Sequence, residues 1–434
     1  MQTRFSPEQL ATPRIAEANA ILRKCVHCGF CLPACPTYQL TGDENDSPRG
    51  RIYLLKEMFE SGAAPDRLAM HHIDRCLGCL GCMPACPSGV DYMRLADLGR
   101  QRIAESGRRR LVDRLLRSAV TRIVSTEGLL RPFLAFGRAM ARIVPALPGS
   151  LNTALRAARG APRIPPRTSL AARTAARGVT RMRVLLMPGC AQQVLHPEVN
   201  EAAIRLLARH GVEVIVAPAR GCCGALAYHM GEIEPARDHA RHNLAAWRNA
   251  KQEGAIDAVV ILASGCGLLL KDYGRFFAPD SPEAEAARAF AASVRDISEV
   301  LTDLALEPVG YGRRPVIAYQ APCSLEHGQR VQSQPRNLLR KAGFELREIA
   351  ESYLCCGSAG TYSLLQPEMS KRLKDRKVAA IRASGAGVVA TANIGCQIHL
   401  ADAAQVPVLH LVQLLDWATG GPAPSQIEDK SATE

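Results

Sequence analysis

Residues 25–36 read CVHCGFCLPACP and residues 76–87 read CLGCLGCMPACP. Each is C-x-x-C-x-x-C-x-x-x-C-P. Three thiols two residues apart wrap three corners of one small inorganic core, while the fourth, beyond a tighter turn, points toward another. One run alone therefore leaves each core a ligand short, and the pair is the informative unit. Gly29, Gly78 and Gly81 allow the backbone to pass close to such a core, and Pro36 and Pro87 close each loop by denying further helix hydrogen bonds. Zinc also uses C-x-x-C pairs, but four ligands complete a zinc site and the repeated third cysteine and trailing proline add nothing to it.

This is bacterial ferredoxin spacing, and it predicts two 4Fe-4S clusters with crossed ligation. Cys25, Cys28, Cys31 and Cys86 are expected to hold one, and Cys76, Cys79, Cys82 and Cys35 the other. His27, His71 and His72 then read as packing or hydrogen-bonding residues, because four cysteines complete each cluster. Between the runs, Ser47 reads as a helix cap and Pro48 as the first helical residue, with Ile52, Leu55, Met58 and Phe59 on one face. Arg49 and Arg51 at its start face a cluster, a partner subunit or plain solvent. Residues 7–24 also show helical spacing, so residues 1–107 are expected to form an α-helical ferredoxin domain.

A second cysteine system begins later. Cys190, Cys222, Cys223 and Cys266 recur as Cys323, Cys355, Cys356 and Cys396, at offsets of 133, 133, 133 and 130 residues. Each copy contains C-x31-C-C-G and alternates strand with helix, the strands expected at 184–187, 212–217 and 258–263 and again at 316–319, 344–349 and 388–392. Such alternation predicts largely parallel α/β sheets, with all eight thiols gathered beyond the strands' carboxyl ends. Gly224 and Gly357 give a vicinal cysteine pair its backbone freedom. Four thiols per repeat suffice for a further cluster or for zinc.

The bulk properties exclude several classes. The chain has 434 residues, 47% of them hydrophobic and 22% charged, an ordinary globular balance. Sixteen cysteines in a chain this long are not core staples, and residues 1–10 lack the build of a secretory signal, so metal or redox thiols are expected. No run of 18 uncharged apolar residues occurs. The net charge of +13 is local: residues 101–183 hold 18 arginines, no lysine and three acids. That segment has no aromatic ladder and no nucleic-acid-binding motif, so nucleic acid is not an expected partner. In residues 111–124, Val112, Leu115, Leu116, Ala119 and Ile123 share one helical face, with Arg114 and Arg117 opposite and Arg122 at the edge. Residues 129–144 repeat the theme with Arg131, Arg138 and Arg142. These helices either meet an anionic lipid surface or acidic partner, or form a hairpin packed on its own domains with solvated arginines. Residues 160–178 read as a linker.

With both cysteine systems placed, the sequence resembles the glycolate oxidase iron-sulfur subunits along nearly its whole length. ILRKCVHCGFCLPACPTYQLTGDENDSPRGRIYLLKEMFE and DRCLGCLGCMPACPSGVDY carry the likeness at the front, and the later repeats are similar to the CCG cysteine-rich domains of heterodisulfide reductase and anaerobic glycerol-3-phosphate dehydrogenase subunits. The resemblance implies a glycolate dehydrogenase complex. Its FAD-containing partner subunits would oxidise glycolate to glyoxylate, while this chain, with no catalytic residue of its own, carries electrons toward quinone or another acceptor. It implies a cytoplasmic chain, peripheral on the inner membrane's cytoplasmic face. The expected units are 1–107, the Arg-rich connection 108–181, CCG repeats 182–312 and 313–420, and a polar tail 421–434. The rival readings are an equivalent subunit for lactate or glycerol 3-phosphate, a non-enzymatic zinc-binding scaffold, and CCG repeats with thiol-disulfide chemistry of their own. In one respect the sequence departs from the fullest CCG motif, which ends in C-x-x-C: Ala263 and Asn393 stand where that motif's additional cysteines would be. A non-cubane cluster is therefore in doubt, leaving an ordinary cluster, zinc or free thiols.

Overall fold

A computed structural model describes residues 1–143, 165–166, 168–218, 222–310 and 314–427. The first 105 residues are helical, and prolines or side-chain caps start most of the helices. Pro13–Lys24, Pro36–Thr41 and Pro48–Glu60 each begin on proline, whose missing N–H costs nothing at that position. Ser47 accepts the N–H of Gly50, Asp66 that of Ala69, and Asp91 that of Arg94, starting Pro48–Glu60, Arg67–Asp74 and Tyr92–Glu105. Pro36 thus opens a helix where the sequence suggested only a stop. Pro13 splits the expected first helix, leaving Pro7–Leu10 as a separate turn. Leu22, Leu55, Phe59, Ile73, Leu95 and Ile103 form the core, with the cysteine loops at its edge. Gly50 has no room for a side chain, because a Cβ there would strike the carbonyl of Glu44.

Leu111–Ser125 and Glu127–Ile143 follow as two helices packed on each other. The expected face is split in the first: Ile123 packs inward, but Leu111, Val112 and Leu115 point to solvent. Arg114 and Arg122 are exposed as expected, whereas Arg117 turns to Asp74, a largely buried carboxylate on another helix. The side chain of Arg142 and residues 160–164 and 167 of the expected linker lie outside the described residues. The linker's Arg173–Thr174 forms strand β1, antiparallel to the strand Val212–Val216.

Each repeat then forms a sheet. In the first, β2 (Met182–Met187), β3 (Val212–Val216), β4 (Ala258–Ile261) and β5 (Val294–Asp296) are ordered β1-β3-β2-β4-β5, parallel beyond β1. In the second, β6 (Ile317–Gln320), β7 (Leu346–Arg347), β8 (Val388–Thr391) and β9 (Val408–His410) are ordered β7-β6-β8-β9, all parallel. The chain is thus α+β: a helical cysteine module followed by two repeats of one topology. Each sheet has a fourth strand, β5 or β9, that the sequence pattern did not indicate. Alternate strand residues face opposite ways: Val184, Leu186, Val260, Tyr319 and Ala390 enter one core shared by both repeats, while Leu185, Val259, Ala318 and Val389 face separate outer cores. Helices Pro197–Arg209 and Leu411–Ala418 meet in the shared core, where Arg205 and Arg209 clasp buried Asp416 at 2.7 and 2.9 Å.

Asp296 and His410 occupy matching positions, each ending the last strand and capping the next helix. Asp296 is fully buried; burial pushes its carboxyl up to about 6 although Ser298 donates to it from both N–H and hydroxyl. A carboxyl raised on folding contributes stability that is complete below its unfolded pKa and is lost as the pH climbs through the folded one. A rise of this size amounts to about 3 kcal/mol at neutral pH. Asp296→Asn keeps a cap and carries no charge. Its unfolding midpoint is expected to exceed that of the parent at pH 7.5, the gap narrowing as the pH falls through about 6 and closing below about 4. A gap independent of pH would show that Asp296 does not titrate there.

Candidate metal centres

Two loops at the edge of the helical core carry the first eight cysteines, and their backbones follow the same path. In the first, His27 and Gly29 are left-handed (φ 55° and 86°); in the second, Gly78 and Leu80 are (64° and 62°). The two positions match between runs, each run using one glycine and one side-chain residue. A left-handed leucine costs roughly 1–2 kcal/mol, which the loop bears to aim its thiols. Gly81 is not left-handed; its role is clearance, since a Cβ would sit 3.1 Å from the carbonyl of Ala34.

The thiols fall into two groups. Burial pushes Cys31 up to about 11, with smaller contributions from Cys25 and Cys86. Cys25, Cys28, Cys31 and Cys86 line one small cavity, which Cys82 also lines. Cys82 is raised by burial and then by Cys79, Cys76, Cys35 and Cys31, so the two thiol groups adjoin each other. Cys28 is exposed, with exposed Val26 and Phe30 beside it, whereas Cys35, Cys76 and Cys82 are buried.

The second group is enclosed by cations. Arg51, 1% exposed, lies 3.8 Å from Cys35 Sγ and donates to Thr37 (3.1 Å), the carbonyl of His72 (2.6 Å) and Asp46 (3.3 Å). Asp46, itself buried, also binds His72 Nδ1 at 2.9 Å and Arg75 at 2.7 Å. Arg100 donates to the carbonyl of Cys76 at 2.8 Å, and the Tyr92 hydroxyl lies 3.6 Å from Cys76 Sγ. Burial works to raise Cys76, yet Arg51 and Arg100 hold it below the usual thiol range. Helical spacing places Arg51 on the face of Leu55 and Met58, which was the available signal that it points inward. His72 serves Asp46, and His27 stands perpendicular to the Tyr53 ring in the wall of the cavity that Cys25, Cys28 and Cys31 line. All-thiol donor sets with buried guanidinium groups suit an anionic iron-sulfur core.

The repeats bring their own thiols together. In the second repeat Cys323 Sγ lies 3.8 Å from Cys355 Sγ, and Cys356 Sγ lies 3.5 Å from Cys396 Sγ; in the first, Cys190, Cys222, Cys223 and Cys266 are close enough to one another to interact electrostatically. Left-handed Gly224 and Gly357 let the turn fold back, their N–H groups 3.4 and 3.5 Å from Cys222 and Cys355. All eight line one cavity of about 430 Å³, whose wall also includes Cys76. After burial, the strongest influence raising Cys79 is Cys323, so the second ferredoxin group and the second repeat are electrostatic neighbours. Asn393, in the place of an additional cysteine, donates to Cys396 at 3.7 Å. The modules are locked around this cavity by Arg94–Tyr228 (2.6 Å), His229–Asp97 (3.0 Å) and the Tyr362 hydroxyl on the carbonyl of Arg75 (3.0 Å).

A helical module with two cysteine loops, facing tandem cysteine-rich α/β repeats, defines an iron-sulfur electron-transfer protein. The 4Fe-4S dicluster domain pattern matches residues 21–90, and the cysteine-rich domain pattern matches 184–271 and 317–401. The glycolate oxidase iron-sulfur subunit of Escherichia coli (strain K12) is 38% identical over 96% of this chain and 99% of its own length. The probable glycolate oxidase iron-sulfur subunit of Bacillus subtilis (strain 168) is 32% identical over 92% and 94%. Lactate utilization protein A of Geobacillus sp. (strain WCH70) is 27% identical over 54% of this chain and 99% of its own. The chain belongs to the family of glycolate oxidase iron-sulfur subunits, the electron-transfer components of an oxidoreductase complex.

Proposed function

We propose that this chain carries electrons from glycolate, oxidised to glyoxylate on FAD-containing partner subunits, toward quinone at the cytoplasmic face of the inner membrane. Cys25, Cys28, Cys31 and Cys86 would hold one 4Fe-4S cluster and Cys76, Cys79, Cys82 and Cys35 the other, within a unit ending near residue 107. When bound, the clusters supply one-electron carriers between a two-electron flavin and the acceptor. The chain's own residues set their surroundings: Cys28, Val26 and Phe30 present the first group to a partner, while Arg51 and Arg100 compensate negative charge around the second. The repeats, 182–312 and 313–420, offer a further thiol site beyond Cys79 for a third cluster or zinc. The observation that carries this reading is the crossed grouping of thiols, a pattern zinc does not require. Likeness over nearly the whole chain favours glycolate, whereas likeness to the lactate protein stops at about half.

The test is iron, acid-labile sulfide and zinc on anaerobically purified full-length protein. About eight irons and eight sulfides per chain are expected from the first eight cysteines, and about twelve if the repeats also hold a cubane. Colourless protein with zinc alone overturns the reading in favour of a scaffold.

A further inference from the structure

The helix Leu111–Ser125 places its least soluble side chains in water. Leu111 is 67% exposed, Val112 72% and Leu115 61%. Arg108, Arg110, Arg114 and Arg122 are exposed among them. The neighbouring helix adds exposed Leu129 and Phe136. The only carboxylates in residues 106–139 are Asp113 and Glu127. Asp113 is held by Arg109 and Arg117, and Glu127 by Arg131. The outward surface is therefore apolar and cationic, with its acids already paired to arginines of the same segment.

Scattered exposed leucines are ordinary, but a cluster on one short helix marks a binding surface. Protein interfaces enrich arginine too, but together with aromatic residues and methionine, and residues 111–125 contain neither. Here guanidinium groups are interleaved with the apolar residues, which suits an anionic bilayer: aliphatic groups reach the acyl boundary while arginines stay at the headgroups. We propose that this helix docks the chain onto anionic phospholipid. The inference deepens the membrane placement proposed above by naming its surface, and it does not depend on electron transfer. The docking helix is also tied inward, since Arg109 and Arg117 both bind Asp74 at 2.6 and 3.0 Å, two residues before Cys76. One buried carboxylate thereby braces both the lipid-facing helix and the second cysteine loop.

The test is co-sedimentation of the intact purified protein with phosphatidylglycerol–phosphatidylcholine vesicles. Binding is expected to be lost on phosphatidylcholine alone and to weaken with salt. Arg110→Glu/Arg114→Glu/Arg122→Glu and, separately, Leu111→Ser/Val112→Ser/Leu115→Ser should each reduce the bound fraction about tenfold or more, with the visible spectrum and iron content unchanged. Full vesicle binding by the serine variant would overturn the proposal. So would a parent protein that ignores vesicles while the same substitutions detach a partner subunit in gel filtration, which would make the surface a protein interface. Vesicle binding is read without substrate, so its failure leaves the electron-transfer reading standing.

Discussion

Arg51→Met is expected to cost about 3–5 kcal/mol of folding stability and to lower the midpoint potential of one cluster while leaving the other in place. Asp46 has no exposed surface, and removing Arg51 leaves it buried with Arg75 and His72 alone. Breaking a buried pair from one side is the costly case, because the remaining charge stays out of water. The same guanidinium lies against Cys35 and pulls on Cys76, so its loss removes positive charge beside the second thiol group and makes reduction there harder. Arg51→Lys keeps the charge but not the planar fork that reaches Thr37, His72 and Asp46 together. Anaerobic urea unfolding checks the first effect, and redox titration followed by electron paramagnetic resonance checks the second. Adding Asp46→Asn should recover part of the stability and part of the potential together, since it also removes a negative charge beside the second thiol group. Unchanged potentials in folded Arg51→Met would remove Arg51 from any part in tuning the cluster.

Cys28→Ala is expected to remove about four irons per chain and to suppress glycolate-driven dye reduction by the assembled complex by roughly 100-fold or more. Residues that merely support a metal ligand are worth about 10–100-fold, so loss of the ligand itself should exceed that. Flavin bleaching by glycolate in a single turnover should persist, since the substrate chemistry is assigned to the partners. Cys28 is also the safest cysteine to replace, being exposed while Cys25, Cys76 and Cys82 pack into the core. Dye reduction undiminished by this change would sink the relay, whatever the metal content.

Spacing made the metal-binding loops legible, because cysteines separated by two residues have few other uses and the chain connectivity itself constrains where they point. Duplication made the repeats legible: a Cys-Cys-Gly turn recurring at fixed distance implies the same strand order twice, and both sheets have it. Short strands were not legible. β5 has three residues, lies between two helices and reads as part of one continuous helical stretch. In helix Leu111–Ser125 amphipathic spacing gives a stripe but not what it faces; that Arg117 turns inward depends on Asp74, distant in sequence. The shared cavity depends on how two sheets pack through Val184, Val260, Tyr319 and Ala390, a relation between repeats that neither repeat's pattern contains. Arg51 could have been assigned inward from its register with Leu55 and Met58, but a charge on an apolar face is ordinarily read as a boundary.

The crossed grouping of the first eight cysteines has a consequence for synthesis. A nascent chain that has released only residues 25–35 presents three thiols whose companion, Cys86, has yet to emerge, and one, Cys35, whose companions Cys76, Cys79 and Cys82 have yet to emerge as well. Neither cluster can be completed on either loop alone, so delivery of iron must wait until the helices between them have folded and brought the loops together. The order of the thiols along the chain then orders the two centres: a chain ending before Cys76 should hold neither, whereas one ending between Cys82 and Cys86 keeps a full set of four for the second centre only.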